Sequence, residues 1–389
     1  SVAILPLANN TGDDSLDWYE LGLANMLTTG LKELEAITVV GVQHLLSLVR
    51  QAGHEESERI PEDLAFSVAA GSGAHSAVFS QIVRVGDDLR VDVQLIDLSS
   101  GATTGAEQAR GADPSILMDS VAARLASRVL GETITPADLT PIAQLTTGSF
   151  DAYREYQEGL LARAKFLRAD AREHFQRAVE LDSTFVRAWM RLGLAALHDE
   201  RFEAATAHLE QAERHSANAP ETDRLMIQAG LAQVDGRWNE SIGYLEELLA
   251  RDPYDKEARF HLGLTYHWFD QLDDSRRVLE EVLALEPDHP GAINDLAYQA
   301  QELGDEARAD SLSLRFIELW PDVWNAYDSR AEILRAFGRE EEARQMYHEV
   351  LIRNPSYIAT YGFLQRSYLR VNDPEGARAA LDPYRDTPD

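Results

Sequence analysis

The side chains of this sequence that could do chemistry are few, and their spacing argues against catalysis. Cysteine is absent, which removes thiol nucleophiles, disulfides, thiolate zinc sites and iron–sulfur clusters together. His261 and His267 stand six positions apart and so off a common helical face, whereas a helical metal pair needs i, i+3 or i, i+4. His208 and His215 share a face at i, i+7, but no third ligand presents itself on that face between them. Gly71-Ser72-Gly73 precedes a strand pattern. A dinucleotide loop follows a strand and opens a helix, so this run reads as a turn. There is no phosphate loop, no Gly-x-Ser-x-Gly elbow and no kinase motif. The acid clusters Asp273-Asp274 and Glu340-Glu341-Glu342 read as solvated surface. Asn9-Asn10-Thr11 and Asn239-Glu240-Ser241 fit the glycosylation pattern, the second at a helix-packing position, and both read as chance matches. The residues therefore predict no catalytic site, no cofactor and no metal.

Composition narrows the partners. The 389 residues suggest two or three domains at roughly 150 residues each. Against 66 acidic residues stand 36 basic ones, a formal net charge of −30. Nucleic acid and anionic membranes both need a positive face, so neither is an expected partner. With 44% hydrophobic and 26% charged residues the chain reads as globular. Only Lys32, Lys165 and Lys256 are lysines; a salty environment and a GC-rich genome explain that bias equally. The longest uncharged run, Leu64 to Val83, is long enough to cross a bilayer at about 1.5 Å per residue. It carries Ser67, Gly71, Ser72, Gly73, His75, Ser76, Ser80 and Gln81, too polar for a transmembrane helix. The chain opens at Ser1, so a processed N-terminus is expected and an upstream signal or membrane anchor stays open.

The elements that would position any site change character near residue 147. Before it, Val2 to Leu7 reads as a buried strand, Asn9 to Asp14 as a polar turn, and Trp18 to Leu31 as a helix. Ile37 to Val42 reads as a strand and Gln43 to Ala52 as a helix. Leu89-Arg90-Val91-Asp92-Val93-Gln94-Leu95 alternates strictly and pairs with Ala77 to Val85 through Gly86-Asp87-Asp88. A further strand spans Thr103 to Arg110, and a helix follows Asp113-Pro114. The order β-α-β-α-β-β-β-α makes a small mixed sheet covered by helices. Val2-Ala3-Ile4-Leu5-Pro6-Leu7, Asn9-Asn10-Thr11-Gly12-Asp13 and Trp18-Tyr19-Glu20-Leu21-Gly22-Leu23, with Val91 to Asp97 followed by Gly101, resemble the TolB N-terminal-like domain over residues 1–132. Residues 133–149, with Pro136 and Pro141, read as a linker. Net charge is −12 over residues 1–147 and −18 over the rest, so neither half is a basic docking arm.

Residues 150–389 repeat. Pro253, Pro287, Pro321 and Pro355 recur every 34 residues, and Ser241, Ser275, Ala309 and Ala343 precede them at a fixed offset. Ala171, Ala205 and Ala377 extend the small-residue column, and Phe175, Leu209, Leu245, Leu279 and Tyr347 form a large apolar one. This register resembles the tetratricopeptide repeat. The resemblance implies about seven helical hairpins in an all-α solenoid, a right-handed superhelix, with repeats starting near 152, 186, 222, 256, 290, 324 and 358. The second repeat is two residues longer, predicting a distortion around Ala217 to Pro220. No polar capping helix is evident after the seventh.

In this repeat family the first helix of each hairpin lines a concave groove. The resemblance places Tyr156, Met190, Arg191, His198, Met226, Phe260, His261, His267 and Trp268 there from repeats one to four. Asn294, Asp295, Tyr298, Gln301, Asn325, Asp328, Glu332 and Arg335 come from repeats five and six, and Phe363, Arg366 and Arg370 from repeat seven. An aromatic patch beside an amide-acidic one suits an extended peptide with one apolar and one basic side chain. Some of these aromatics could equally pack against neighbouring helices. The domain order is similar to the C-terminal region of some bacterial membrane-bound Ser/Thr kinases, which implies a sensory or scaffolding module on the extracytoplasmic side; a cytoplasmic location stays open. Two other readings stay open, a structural subunit of a larger complex and a small-molecule sensor using the first domain.

Overall fold

The structure, a computed structural model, describes residues 1–34, 36–51, 60 and 62–381. The chain forms two compact units, Ser1–Ala258 and Arg259–Asp389.

The first unit opens with β1 (Val2–Asn10), α1 (Tyr19–Lys32), β2 (Val39–Val40), α2 (Val42–Gln51), α3 (Glu62–Gly71), β3 (Ser76–Val85), β4 (Asp88–Asp97), β5 (Thr103–Gly111) and α4 (Pro114–Leu130). One five-stranded sheet runs β2-β1-β3-β4-β5. β1 lies parallel to β2 and β3, while β3, β4 and β5 are antiparallel. The alternation of Leu89, Val91, Val93 and Leu95 buries one face of β4, as a half-solvated antiparallel strand requires. Gly86, at φ +68°, makes the tight β3–β4 turn that other residues resist. Ile4, Leu7, Val78 and Ile82 pack under α1 and α4, while Ala3, Leu5 and Ala77 pack under α2 and α3. Asp113 caps α4, accepting from the Ser115 and Ile116 amides, with Pro114 at the first helical position.

Three local expectations shift. β1 runs on to Asn10, into the expected polar turn, and the turn itself is a 3-10 stretch over Asp14–Leu16. The strand expected over Ile37 to Val42 shrinks to Val39–Val40, because Gly41 already accepts the first hydrogen bonds of α2. α3 is an additional helix that enters the uncharged run from Glu62, and Ser72-Gly73 is its exit turn, with Gly73 at φ +76°. The end of the expected second helix, Ala52, lies outside the described residues.

Residues 133–141 are mostly exposed, and residues 142–147 are packed down. They contain α5 (Ile142–Leu145), whose Ile142 and Leu145 are buried and whose Ile142 amide donates to Asp119 on α4. The helical pairs follow: α6 (Phe150–Ala164) with α7 (Arg168–Leu181), α8 (Val186–His198) with α9 (Phe202–His215), and α10 (Glu221–Val234) with α11 (Trp238–Arg251). The extra residues of the second repeat form a 3-10 turn at Ser216–Asn218, where the register predicted a distortion. α12 (Lys256–Trp268) crosses the unit boundary. The second unit continues with α13 (Leu272–Leu285), α14 (Pro290–Glu302), α15 (Glu306–Leu319), α16 (Trp324–Ala336), α17 (Glu340–Arg353), α18 (Ile358–Arg370) and α19 (Pro374–Ala379).

The register dictates this packing. Gly159, Gly193 and Gly263 on first helices leave notches that Phe175, Leu209 and Leu279 of the paired helices fill. A Cβ at those glycines would stand 2.5, 2.6 and 2.7 Å from those side chains, well inside van der Waals contact. Pro253, Pro287, Pro321 and Pro355 all fall in turns between hairpins, where a missing amide costs nothing. In the second unit the Tyr327 and Tyr361 hydroxyls each donate to the carbonyl of the proline six residues earlier, both at 3.0 Å. Every turn within a hairpin also places one residue in the left-handed region: Phe166, Glu200, Gly236, Asp270, Gly304, Gly338 and Asn372.

Candidate functional site

The two units treat their first helices differently. In the first unit, helix α1 lies against them. The Tyr153 hydroxyl donates to the Gly22 carbonyl at 3.1 Å, Asn25 donates to Gln157 at 3.1 Å, and Arg187 Nη1 donates to Thr29 at 2.9 Å. Arg187 also pairs with Asp223 at 2.6 Å, and Lys32 with Asp252. The Arg187 guanidinium stays charged despite desolvation because Asp223 sits against it. Asp223 is itself buried. Trp18 and Tyr19 pack against Phe150, tilted and edge-on respectively, with ring centroids 4.9 and 5.5 Å apart.

The groove candidates of this unit are accordingly enclosed. Tyr156, Met190 and Met226 are each 4% exposed. Tyr156 packs between Phe175 and Phe185, at 5.6 and 5.0 Å, and Arg191 is paired with Glu257. His198 ends α8, half-buried. These aromatic and thioether side chains act as packing.

In the second unit the candidates fall into a polar cluster and its surroundings. Asn294 and Asp328 occupy the same place one repeat apart, on α14 and α16. One turn further along each helix, the Tyr298 hydroxyl donates to Glu332 Oε2 at 2.7 Å and ties the two helices in register. Asn294 is 9% exposed and Asp328 6%. The Oδ1 atoms of Asn294, Asn325 and Asp328 are buried without a hydrogen-bond partner. Desolvation, then the neighbouring charge of Glu332, pushes the Asp328 carboxyl up to about 7 against the opposing Tyr357 hydroxyl. Tyr357 is in turn pushed up to about 12 by burial and by Asp328 and Glu332. Burial and Glu332 likewise hold Tyr298 well above the ordinary phenol range. Trp324 packs against Tyr357 in a tilted arrangement with ring centroids 4.4 Å apart. Asp295 and Gln301 lie on α14, half-buried.

The remaining candidates point elsewhere. Phe363 is flanked by the Arg335 and Arg366 guanidiniums at 5.7 and 4.8 Å from its ring centroid. Arg370 pairs with Glu340 at 2.6 Å and His267 with Glu302 at 3.1 Å. Phe260 packs on His289 at 4.9 Å, and the half-buried Trp268 packs against the cluster of Phe260, Leu264 and Leu279. His261 is buried, and no group of three His, Asp or Glu among the described residues could hold a metal ion. Sequence reasoning passed over Tyr357 and Trp324, which stand in the turn before α18 and at the start of α16. Their columns carry no repeated residue type, so periodicity does not mark them.

The tetratricopeptide repeat family matches residues 156–220 and 235–301. The helical pairs are tetratricopeptide repeats, following a small mixed five-stranded sheet. Among solved structures, a match to MamA has 20% identity and a TM-score of 0.37, covering 42% of this chain and 92% of that one. MamA from Desulfovibrio magneticus RS-1 matches at 16% identity and 0.37, covering 43% and 98%. A tetratricopeptide repeat protein from Parabacteroides merdae matches at 16% and 0.38, covering 61% and 93%. Likeness of this degree carries nothing about partners. No curated protein matches the chain. No helix among the described residues is long and apolar enough to cross a membrane.

Proposed function

We propose that this chain is a non-catalytic protein-interaction scaffold whose second unit holds an extended protein segment against the first helices of repeats five and six. One observation carries the reading. Asn294, Asn325 and Asp328 bury acceptor atoms that nothing among the described residues completes, and folded proteins rarely leave such groups unpaired without a reason. A segment laid across α14 and α16 would bring backbone and side-chain donors to them, with Trp268 as an apolar anchor in the same unit. The first unit's repeats already hold α1, so the reading assigns the partner to the second unit.

The wider role is a regulatory region of a bacterial signalling protein, with domains at 1–132, 133–149 and 150–389. It is supported by the resemblance of residues 1–132 to the TolB N-terminal-like domain and by the domain order. The partner is a protein, not nucleic acid, in keeping with the net charge of −30. Capture of partners from the native organism, compared between the wild-type chain and Trp268→Ala, tests the reading. An anchoring aromatic should cost about 2 kcal/mol or more of binding when truncated. Undiminished binding by Trp268→Ala, with loss on changes in residues 1–132, would sink it. A copurifying kinase chain supports the signalling role, and a stoichiometric multi-subunit complex supports the structural-subunit alternative.

A further inference from the structure

The polar cluster of the second unit is rich in acceptors, and among the described residues no cation acts appreciably on its buried carboxyl, Asp328. We infer that Asp328 and Glu332, with Asn294 and Asn325, form a socket for a guanidinium group, the side chain of an arginine carried by the bound segment. The inference rests on the groove reading above and narrows it to one ligand chemistry.

The geometry comes first. Asn294 and Tyr298 on α14, and Asp328 and Glu332 on α16, are i, i+4 pairs that the Tyr298–Glu332 hydrogen bond aligns side by side. Asn325 precedes Asp328 by one turn on the same face. Asp328 and Asn294 are more than nine-tenths buried, and each keeps an unpartnered oxygen. Glu332 and Tyr298 are half-buried, which leaves the cluster a side open to solvent.

Charge comes second. The one charged group acting appreciably on Asp328 is another carboxylate, Glu332. Of the arginines close by, Arg330 and Arg339 hold Asp310 at 3.1 and 2.8 Å, Arg370 holds Glu340, and Arg335, whose Nε is itself buried without a partner among the described residues, lies over the Phe363 ring and does not act appreciably on Asp328. A buried carboxylate without a counter-ion is costly, so a ligand that brings the missing charge binds with a matching gain.

Donor count then selects the cation. Three unpartnered acceptors, one of them on Asp328, and the Glu332 carboxylate suit a planar group with five N–H donors and no acceptor; an ammonium offers three. The Tyr298, Tyr357 and Trp324 rings beside the carboxylates offer faces on which a guanidinium can stack. A metal ion would meet only two carboxylates here, and among the described residues no set of three ligands exists.

Titration calorimetry of the full chain tests this with a blocked pentapeptide, Gly-Leu-Arg-Leu-Gly, against its lysine and citrulline counterparts. Citrulline keeps the shape and loses the charge. The arginine peptide should saturate, the lysine peptide should bind several-fold more weakly, and the citrulline peptide at least about tenfold more weakly. Asp328→Asn should cost the arginine peptide about tenfold, and Glu332→Gln and Asn294→Ala should weaken it as well, with helix content unchanged by circular dichroism. Citrulline binding within twofold of arginine, Asp328→Asn and Glu332→Gln both binding as wild type, or no binding of the arginine peptide at millimolar concentration would each overturn the socket. Blocked free arginine binding as tightly as the peptide would keep the socket and overturn the protein-segment reading. A native partner lost with Trp268→Ala but kept with Asp328→Asn would do the reverse.

Discussion

Asp328→Asn should stabilise the second unit, and by an amount that grows with pH. Burial beside Glu332 raises this carboxyl from an ordinary 3.8 to about 7, a rise of about three units, and each unit corresponds to roughly 1.4 kcal/mol. The sign follows from linkage. A carboxyl whose folded-state pKa is raised binds its proton more tightly in the native chain, so its penalty is absent below the unfolded value near 4. The penalty develops as pH rises and is complete above about 7. An asparagine has the same shape and never ionises. The variant should therefore match the wild type near pH 4 and exceed it by something on the order of 3–4 kcal/mol at pH 8. Urea unfolding followed by circular dichroism at steps between pH 4.5 and 8 measures the difference, and the repulsion from the net charge of −30 nearly cancels between the two proteins. A difference that stays flat across this window, or a variant less stable than wild type at pH 8, would refute the reasoning.

The packing makes further predictions. Gly263→Ala drives a Cβ to within 2.7 Å of Leu279 and should lower stability by about 1–3 kcal/mol, visible as a lower urea midpoint. Glu200→Gly relieves the strain of left-handed backbone at φ +56° and should raise stability by about 0.5–1 kcal/mol in thermal denaturation. The gain at Asp270 and Asn372 should be smaller, because aspartate and asparagine tolerate that region. Arg187→Ala strands the buried Asp223 and should cost about 3–5 kcal/mol. Hydrogen exchange in α1 should rise with it, since Arg187 also holds Thr29; protection of α1 at the wild-type level would show that the pair does not hold this helix down.

What the sequence determined by itself was everything written in near neighbours. The 34-residue recurrence of Pro253 to Pro355, the small columns at Ser241 to Ala343 and the alternation of Leu89 to Leu95 are patterns of chain spacing. Helix and strand periods translate them directly into hairpins, turns and a half-buried strand. Asn294, Asp328, Tyr298 and Glu332 could be nominated together because one repeat separates the members of each pair. The left-handed column was hidden, because glycine marks it only at 236, 304 and 338, and Phe166 and Glu200 occupy it against their preference. The tertiary structure alone decided which first helices stay available. Lys32 meets Asp252 across 220 positions of sequence, and Thr29 meets Arg187 across 158. No local period encodes such a pairing, so only the folded chain turns Tyr156, Met190 and Met226 into core. Burial likewise decided the chemistry of Asp328: a carboxylate on a helix face is ordinary in sequence, and desolvation beside Glu332 raises its pKa to about 7.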